Sequence, residues 1–278
     1  MALGIDFNTA NSGNGDTLYT AFTKINNMFT TTTKLSNGDL EINGNTVGKG
    51  AGTGLYNTVL GGINPLGLNT TGVSNIAVGT QSLKSNLTGS DNVAVGVNAL
   101  LNNNESSNVG IGSNAGQGNI SGIDNVSIGL NSNYSNTNLN NTIAVGTNSN
   151  CNANNQITLG NSSVTSLRCN VQSISSLSDE RDKTDIIEIA EGLEFVNKLK
   201  PVTFTWNQRD GNRVGVKASG FIAQDLLELQ DESLIGENLD LVTNTDPLKL
   251  EARYNNILPV LVKAIQELTA RINVLEGN

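Results

Sequence analysis

The chain has 278 residues, with 16 Lys/Arg against 25 Asp/Glu and no histidine. A net charge of −9 argues against a nucleic-acid partner, whose phosphates need a basic surface. The missing imidazole excludes Ser-His-Asp and Cys-His catalysis and histidine-ligated metals, so no metal or cofactor is expected.

There is no apolar run near about 18 residues and no charged-then-apolar leader, so neither a membrane span nor a classical signal peptide is expected. The chain reads as one made in the cytoplasm. Charge is unevenly spread: residues 1–177 hold 5 Lys/Arg and 7 Asp/Glu, and residues 178–278 hold the other 11 and 18. Residues 15–29 place Leu18, Ala21, Phe22, Ile25, Met28 and Phe29 at helical spacing behind an Asp16 or Thr17 N-cap, which predicts an amphipathic helix. An apolar stripe does not name its partner, so docking on its own domain stands beside docking on another chain.

From residue 44 the sequence repeats as Asn, apolar-small-apolar, Gly. The units are Asn75-Ile76-Ala77-Val78-Gly79, Asn92-Val93-Ala94-Val95-Gly96, Asn108-Val109-Gly110-Ile111-Gly112 and Asn125-Val126-Ser127-Ile128-Gly129, with looser copies ending at Gly61, Gly146 and Gly160. Such a unit predicts a short strand with two inward apolar residues, then a polar turn, repeated as solenoid coils. Seven coils stacked at about 4.8 Å make a section of roughly 30 Å, with Val and Ile as its apolar column. The Asn residues are expected to satisfy turn backbones or to stack as ladders.

Between Gly44 and Leu177 the acids are Asp91, Glu105 and Asp124. Asp91 and Asp124 fall two coils apart, about 10 Å in a regular stack, slightly long for a glycosidase pair and better read as solvated turn residues. Cys151 and Cys169 do not share a repeat register and are expected to be reduced thiols. Residues 161–177 lose the repeat and read as a strand-like neck containing Val164, Leu167, Val171 and Ile174.

The boundary itself is Ser178-Asp179-Glu180-Arg181-Asp182-Lys183, a hydroxyl and an amine five residues apart. Beyond it the periodicity predicts a helix over 191–199, ended by Pro201, and a hairpin of strands at 202–206 and 214–223 around Asp210-Gly211-Asn212. A short helix follows over 224–229, then a strand through Leu248, Leu250, Ala252 and Tyr254. Leu258, Leu261, Ile265, Leu268, Ile272 and Leu275 step 3, 4, 3, 4, 3, a heptad seam too short to hold a coiled coil alone.

Four stretches in this order carry a family resemblance: Ser178-Asp-x-Arg-x-Lys183, Leu199-Lys-Pro-Val-Thr-Phe-Thr-Trp206, Gly220-Phe-Ile-Ala-Gln224, and Tyr254 followed by Ile257 to Ile265. The last hundred or so residues resemble the C-terminal intramolecular chaperone of phage endosialidase tailspikes and related fibres. The repeats resemble the β-roll heads of trimeric adhesins and the repeats of phage fibres, and the helix at 15–29 resembles one near the start of many phage tail proteins. The resemblance implies a homotrimeric virion subunit that is multidomain. Its parts are an attachment or capping segment with a helix (1–43), a β-roll or β-solenoid shaft (44–160), a neck (161–177) and an α+β chaperone domain ending in a coiled-coil helix (178–278).

It also implies that the domain assists trimer folding and then cuts itself off between Leu177 and Ser178, with Ser178 as nucleophile and Lys183 as general base. The other implied partners are tail proteins of the virion at the N-terminal segment and a host-surface receptor such as a glycan. Burial or the neighbouring Arg181 favours a neutral Lys183 amine, whereas Asp179, Glu180, Asp182 and Asp185 favour the ammonium. A non-cleaving fibre with a permanent trimerisation cap, a bacterial trimeric adhesin and a polysaccharide depolymerase are the rival readings.

Overall fold

A computed structural model of the chain describes residues 32–34, 38–42, 44–133, 138–170, 175–209 and 211–277. The helix expected over 15–29 lies outside these residues, as do Val171 and Ile174 of the neck. The chain divides into two compact units, the first ending at Asn161 and the second beginning at Ser162.

The first unit opens with an antiparallel meander, β1 (Thr32–Lys34), β2 (Leu40–Ile42) and β3 (Asn45–Gly48), and β3 pairs antiparallel with β4 (Thr58–Gly61). From β4 onward every pairing is parallel and sequential through β5 (Ile76–Val78), β6 (Val93–Val95), β7 (Val109–Ile111), β8 (Val126–Ile128), β9 (Ile143–Val145) and β10 (Ile157–Leu159). The repeat section is therefore a β-solenoid whose coils start at β4, with residues 45–48 belonging to the meander.

The interior differs from the expectation of two inward apolar residues per strand. The middle, small residue faces inward: Ala77, Ala94 and Ala144 are fully buried and Ser127 nearly so, in register with Val59 and Gly110. The flanking Val and Ile face outward, and Ile76, Val95, Ile111 and Ile128 are exposed. Successive strand residues point to opposite faces, so burying the middle residue puts both neighbours outside. In β5 to β9 the inward strand residue is small, while the first coil takes Val59 there; Leu66, Leu83 and Leu100 fill the remaining space from the opposite corner and close one apolar cluster with Val59 and the alanines.

Asparagines hold the coils together. The backbone N–H of Asn75, Asn92, Asn108, Asn125 and Thr142 each donates to the Oδ1 of the asparagine one coil earlier, at 2.8–3.1 Å. Each asparagine amide in turn donates to a turn carbonyl, Asn75 Nδ2 to Gly89 O and Asn92 Nδ2 to Glu105 O among them. A second, more exposed ladder runs through Asn98, Asn114, Asn131 and Asn148, side chain to side chain. The expected roles, turn satisfaction and laddering, are both present. The repeat glycines are required twice over: Gly96 has φ +138°, and a Cβ there would lie 2.4 Å from the Gly112 carbonyl oxygen of the next coil.

The second unit packs α1 (Leu193–Lys198), the hairpin β11 (Val202–Asn207) and β12 (Val214–Gly220), α2 (Ala223–Glu232), α3 (Gly236–Leu239), the short pair β13 (Val242–Thr243) and β14 (Glu251–Ala252), and α4 (Leu258–Leu275). Its core joins Phe195, Leu226, Leu229, Leu241, Ile257 and Val260. The strand expected over 248–254 shrinks to two residues, because its partner offers only Val242 and Thr243 for pairing. The neck contains no strand among its described residues, and Val164 and Leu167 are exposed. Helix α4 spends Val260 and Ala264 on its own core and leaves the whole seam, Leu258 to Leu275, in solvent.

Candidate active site

Ser178 precedes a single 3-10 turn, Glu180–Asp182, and the local sequence explains why the chain turns there. Asp179 is the N-cap: its Oδ1 accepts from the Arg181 backbone N–H at 2.9 Å. Asp182 N–H donates to Asp179 O at 3.2 Å and Lys183 N–H to Glu180 O at 3.1 Å. The turn brings Lys183 back over the residue that began it. Lys183 Nζ lies 2.5 Å from Ser178 Oγ and donates as well to the Ser178 carbonyl at 3.3 Å. The two residues singled out in the sequence are thus in direct contact, beside a fully exposed Leu177.

The acids named as competitors for Lys183 do not behave alike. Asp179 is taken by Arg181 through both carboxylate oxygens, Nε to Oδ1 at 2.9 Å and Nη2 to Oδ2 at 2.6 Å. The guanidinium, with the Arg181 backbone N–H, holds the Asp179 carboxyl below the usual carboxylate range, and the same contact raises Arg181. Among the described residues Lys183 forms no ion pair. The Asp179–Arg181 fork was legible only as two opposite charges two residues apart.

The segment from Leu177 to Glu188 is exposed throughout. Downstream contacts fix where it leads. Glu188 accepts from Lys263 Nζ of α4 at 2.9 Å, and this partner holds the Glu188 carboxyl below its ordinary range. Glu267 of the same helix accepts from Leu193 N–H at 2.8 Å and so caps α1, a contact the heptad pattern did not suggest. A Cβ on Gly192 would meet the backbone of Lys263 and Ala264 at 2.7–2.8 Å, so glycine lets α1 dock that closely.

Two of the sequence motifs meet in space. Tyr254 Oη donates to Phe221 O at 3.1 Å and accepts from Phe221 N–H at 3.2 Å, and the two rings sit edge to face. A Cβ on Gly220 would lie 2.7 Å from that hydroxyl, which accounts for the glycine before Phe221.

The other candidates do not assemble into a site. Asp91 and Asp124 occupy the same left-handed turn position as Ser74, Ser107 and Asn141 in neighbouring coils, with φ of 59° and 58°. Glu105 contributes its backbone carbonyl to Asn92 and Asn103. Cys151 is buried, its Sγ within 3.5 Å of the Ile143 and Gln156 carbonyls, and Cys169 is exposed.

Residues 178–235 match the peptidase family described as chaperone of endosialidase, over about a fifth of the chain and starting at Ser178. Comparisons with curated proteins and with solved structures give no match. No helix among the described residues is long and apolar enough to cross a membrane. The family is one of self-cleaving peptidases, and the chain is tailspike-like: a β-solenoid followed by a C-terminal chaperone domain of the endosialidase type.

Proposed function

We propose that the chain is a homotrimeric virion fibre or spike subunit whose C-terminal domain, residues 178–278, aligns three chains and then releases itself by cutting between Leu177 and Ser178. The contact between Ser178 Oγ and Lys183 Nζ carries this reading. The start of the family match at Ser178 supports it.

In the reaction, neutral Lys183 takes the Ser178 hydroxyl proton while Oγ attacks the Leu177 carbonyl carbon through a five-membered ring. The tetrahedral oxyanion collapses, the C–N bond breaks, and the Ser178 nitrogen takes the proton from the Lys183 ammonium. This leaves a Leu177 ester on Ser178 Oγ and a free Ser178 amine. Water then adds to the ester with Lys183 again accepting a proton. The C–O bond breaks and Oγ is reprotonated, so one water is consumed and Leu177 ends as a carboxylate.

An unperturbed lysine is protonated near pH 7, and the dyad is exposed in the single chain. Neighbouring copies that pack around it would desolvate the amine, so cleavage follows assembly. Two exposed apolar features support a trimer: the outward Val and Ile columns of the solenoid and the seam of α4. Packing three solenoids and three helices against one another buries both. The N-terminal segment 1–43 attaches to or caps against other tail proteins, and the solenoid faces a host-surface receptor.

Ser178→Ala and Lys183→Ala test the chemistry. Removing a nucleophile or a general base costs about 10²-fold or more, so each variant is expected to remain full length on a denaturing gel where wild type gives two fragments. Efficient cleavage in either variant overturns the dyad.

A further inference from the structure

The acid next to the nucleophile is the one acid that the turn itself removes from competition. Asp179 is bonded to Ser178, whose carbonyl and hydroxyl both contact Lys183 Nζ. A free carboxylate there could rotate onto the ammonium and hold it charged. Instead Oδ1 accepts two N–H groups of Arg181, backbone and Nε, and Oδ2 accepts Nη2. A planar guanidinium meets both carboxylate oxygens at once, a fork that a lysine cannot reproduce. The same Oδ1 contact closes the 3-10 turn that returns Lys183 to Ser178.

We propose that Arg181 is a positioning residue for self-cleavage: by gripping both oxygens of Asp179 it keeps that carboxylate off the Lys183 amine while the turn stays closed. The proposal rests on the dyad reading above. The charged groups that border Lys183 in its own segment are Asp179, Glu180, Arg181, Asp182 and Asp185, and among the described residues no ion pair reaches it from another element. Loss of Arg181 therefore frees one specific acid and also removes a cation that favours the neutral amine; recovery in a variant that lacks both charges assigns the effect to the acid.

The test follows full-length chain, pulse-labelled by cell-free synthesis and diluted into buffers from about pH 6.5 to 9.5, as it splits on a denaturing gel. Two unit charges at about 4 Å in water shift a proton equilibrium by about fivefold. Arg181→Ala is expected to cleave about fivefold more slowly than wild type near neutral pH, with the rates of both rising as the pH is raised.

The double variant Asp179→Asn with Arg181→Ala keeps a side-chain oxygen for the cap and removes the freed charge, so its pH profile is expected to return to that of wild type. No slowing of Arg181→Ala, or failure of the double variant to recover, would each overturn the positioning role. Ser178→Ala is the control on the underlying reading: cleavage there, or an intact wild-type chain, overturns the dyad and the proposal with it. An inert Ser178→Ala beside an unaffected Arg181→Ala overturns the proposal alone.

Discussion

The two units solve the problem of a core in different ways. In the C-terminal unit Phe195, Leu226, Leu241 and Val260 come from elements far apart in sequence and exclude water by bulk. In the solenoid the interior is narrow, lined by alanines and three leucines, and much of what is buried is asparagine. A coil there is held by backbone and amide hydrogen bonds to the coils on either side, so no coil is stable by itself and each new one needs a finished edge to add to. The C-terminal unit carries its own apolar core and a ready helix seam. Under the trimer proposed above, that asymmetry gives a chaperone domain physical sense: the part able to fold on its own bulk would bring three chains into register for the part that cannot.

Breaking the solenoid edge should have the largest effect on this contrast. Gly112→Val introduces a Cβ 2.7 Å from the backbone of Gly129 at a φ of +127°. It should cost more than about 3 kcal/mol, read as loss of the solenoid's thermal transition while that of the C-terminal unit persists. Next comes Leu83→Ala, which empties a fully buried corner. A cost of about 2–5 kcal/mol is expected in denaturant unfolding, confined to the same transition.

The two asparagine ladders sharpen the comparison further. Asn92→Ala orphans the buried Asn108 N–H and takes the amide donor, one of two, from the Asn75 Oδ1, and should cost about 2–3 kcal/mol. Asn98→Ala on the outer ladder, at a φ of 57° that asparagine tolerates better than alanine, should cost about 1 kcal/mol. Equal losses would mean that the buried ladder is not what joins the coils.

The smallest effect is expected in the C-terminal unit. Glu188 has its carboxyl held low by Lys263, so its contribution is present above the ordinary glutamate range and fades as pH falls through the lowered value. Glu188 lies at the surface, so Glu188→Gln should barely move the midpoint of that unit at neutral pH and flatten only the acidic limb of its stability profile.

Much of the fold was legible in the sequence because its signals are periodic. A repeat near 17 residues ending in glycine fixed the coil count and the strand positions, and the 3-4 stepping fixed α4. The direction in which the strands face was not legible from alternation, since a three-residue strand alternates equally well either way. The small middle residue was the usable signal, because Ala, Gly and Ser are the inward residues of β5 to β9, with Val59 in that place in the first coil. Helix α3 and strand β13 were missed because four-residue and two-residue elements carry no period; they exist through the core that Leu239, Leu241 and Val242 share. At the site, Ser178 and Lys183 were singled out through a motif, and the turn brings Lys183 Nζ to Ser178 Oγ. The sequence reading set Asp179 against Lys183 by counting charges, and the geometry gives Asp179 to Arg181 instead.

The most direct test of the account is the N-terminal sequence of the smaller fragment that wild-type chain leaves after assembly. The expected sequence is Ser-Asp-Glu-Arg-Asp-Lys, starting at Ser178, in a fragment of 101 residues beside one of 177. A fragment that begins at any other residue, or a chain that stays whole once assembled, would contradict the account.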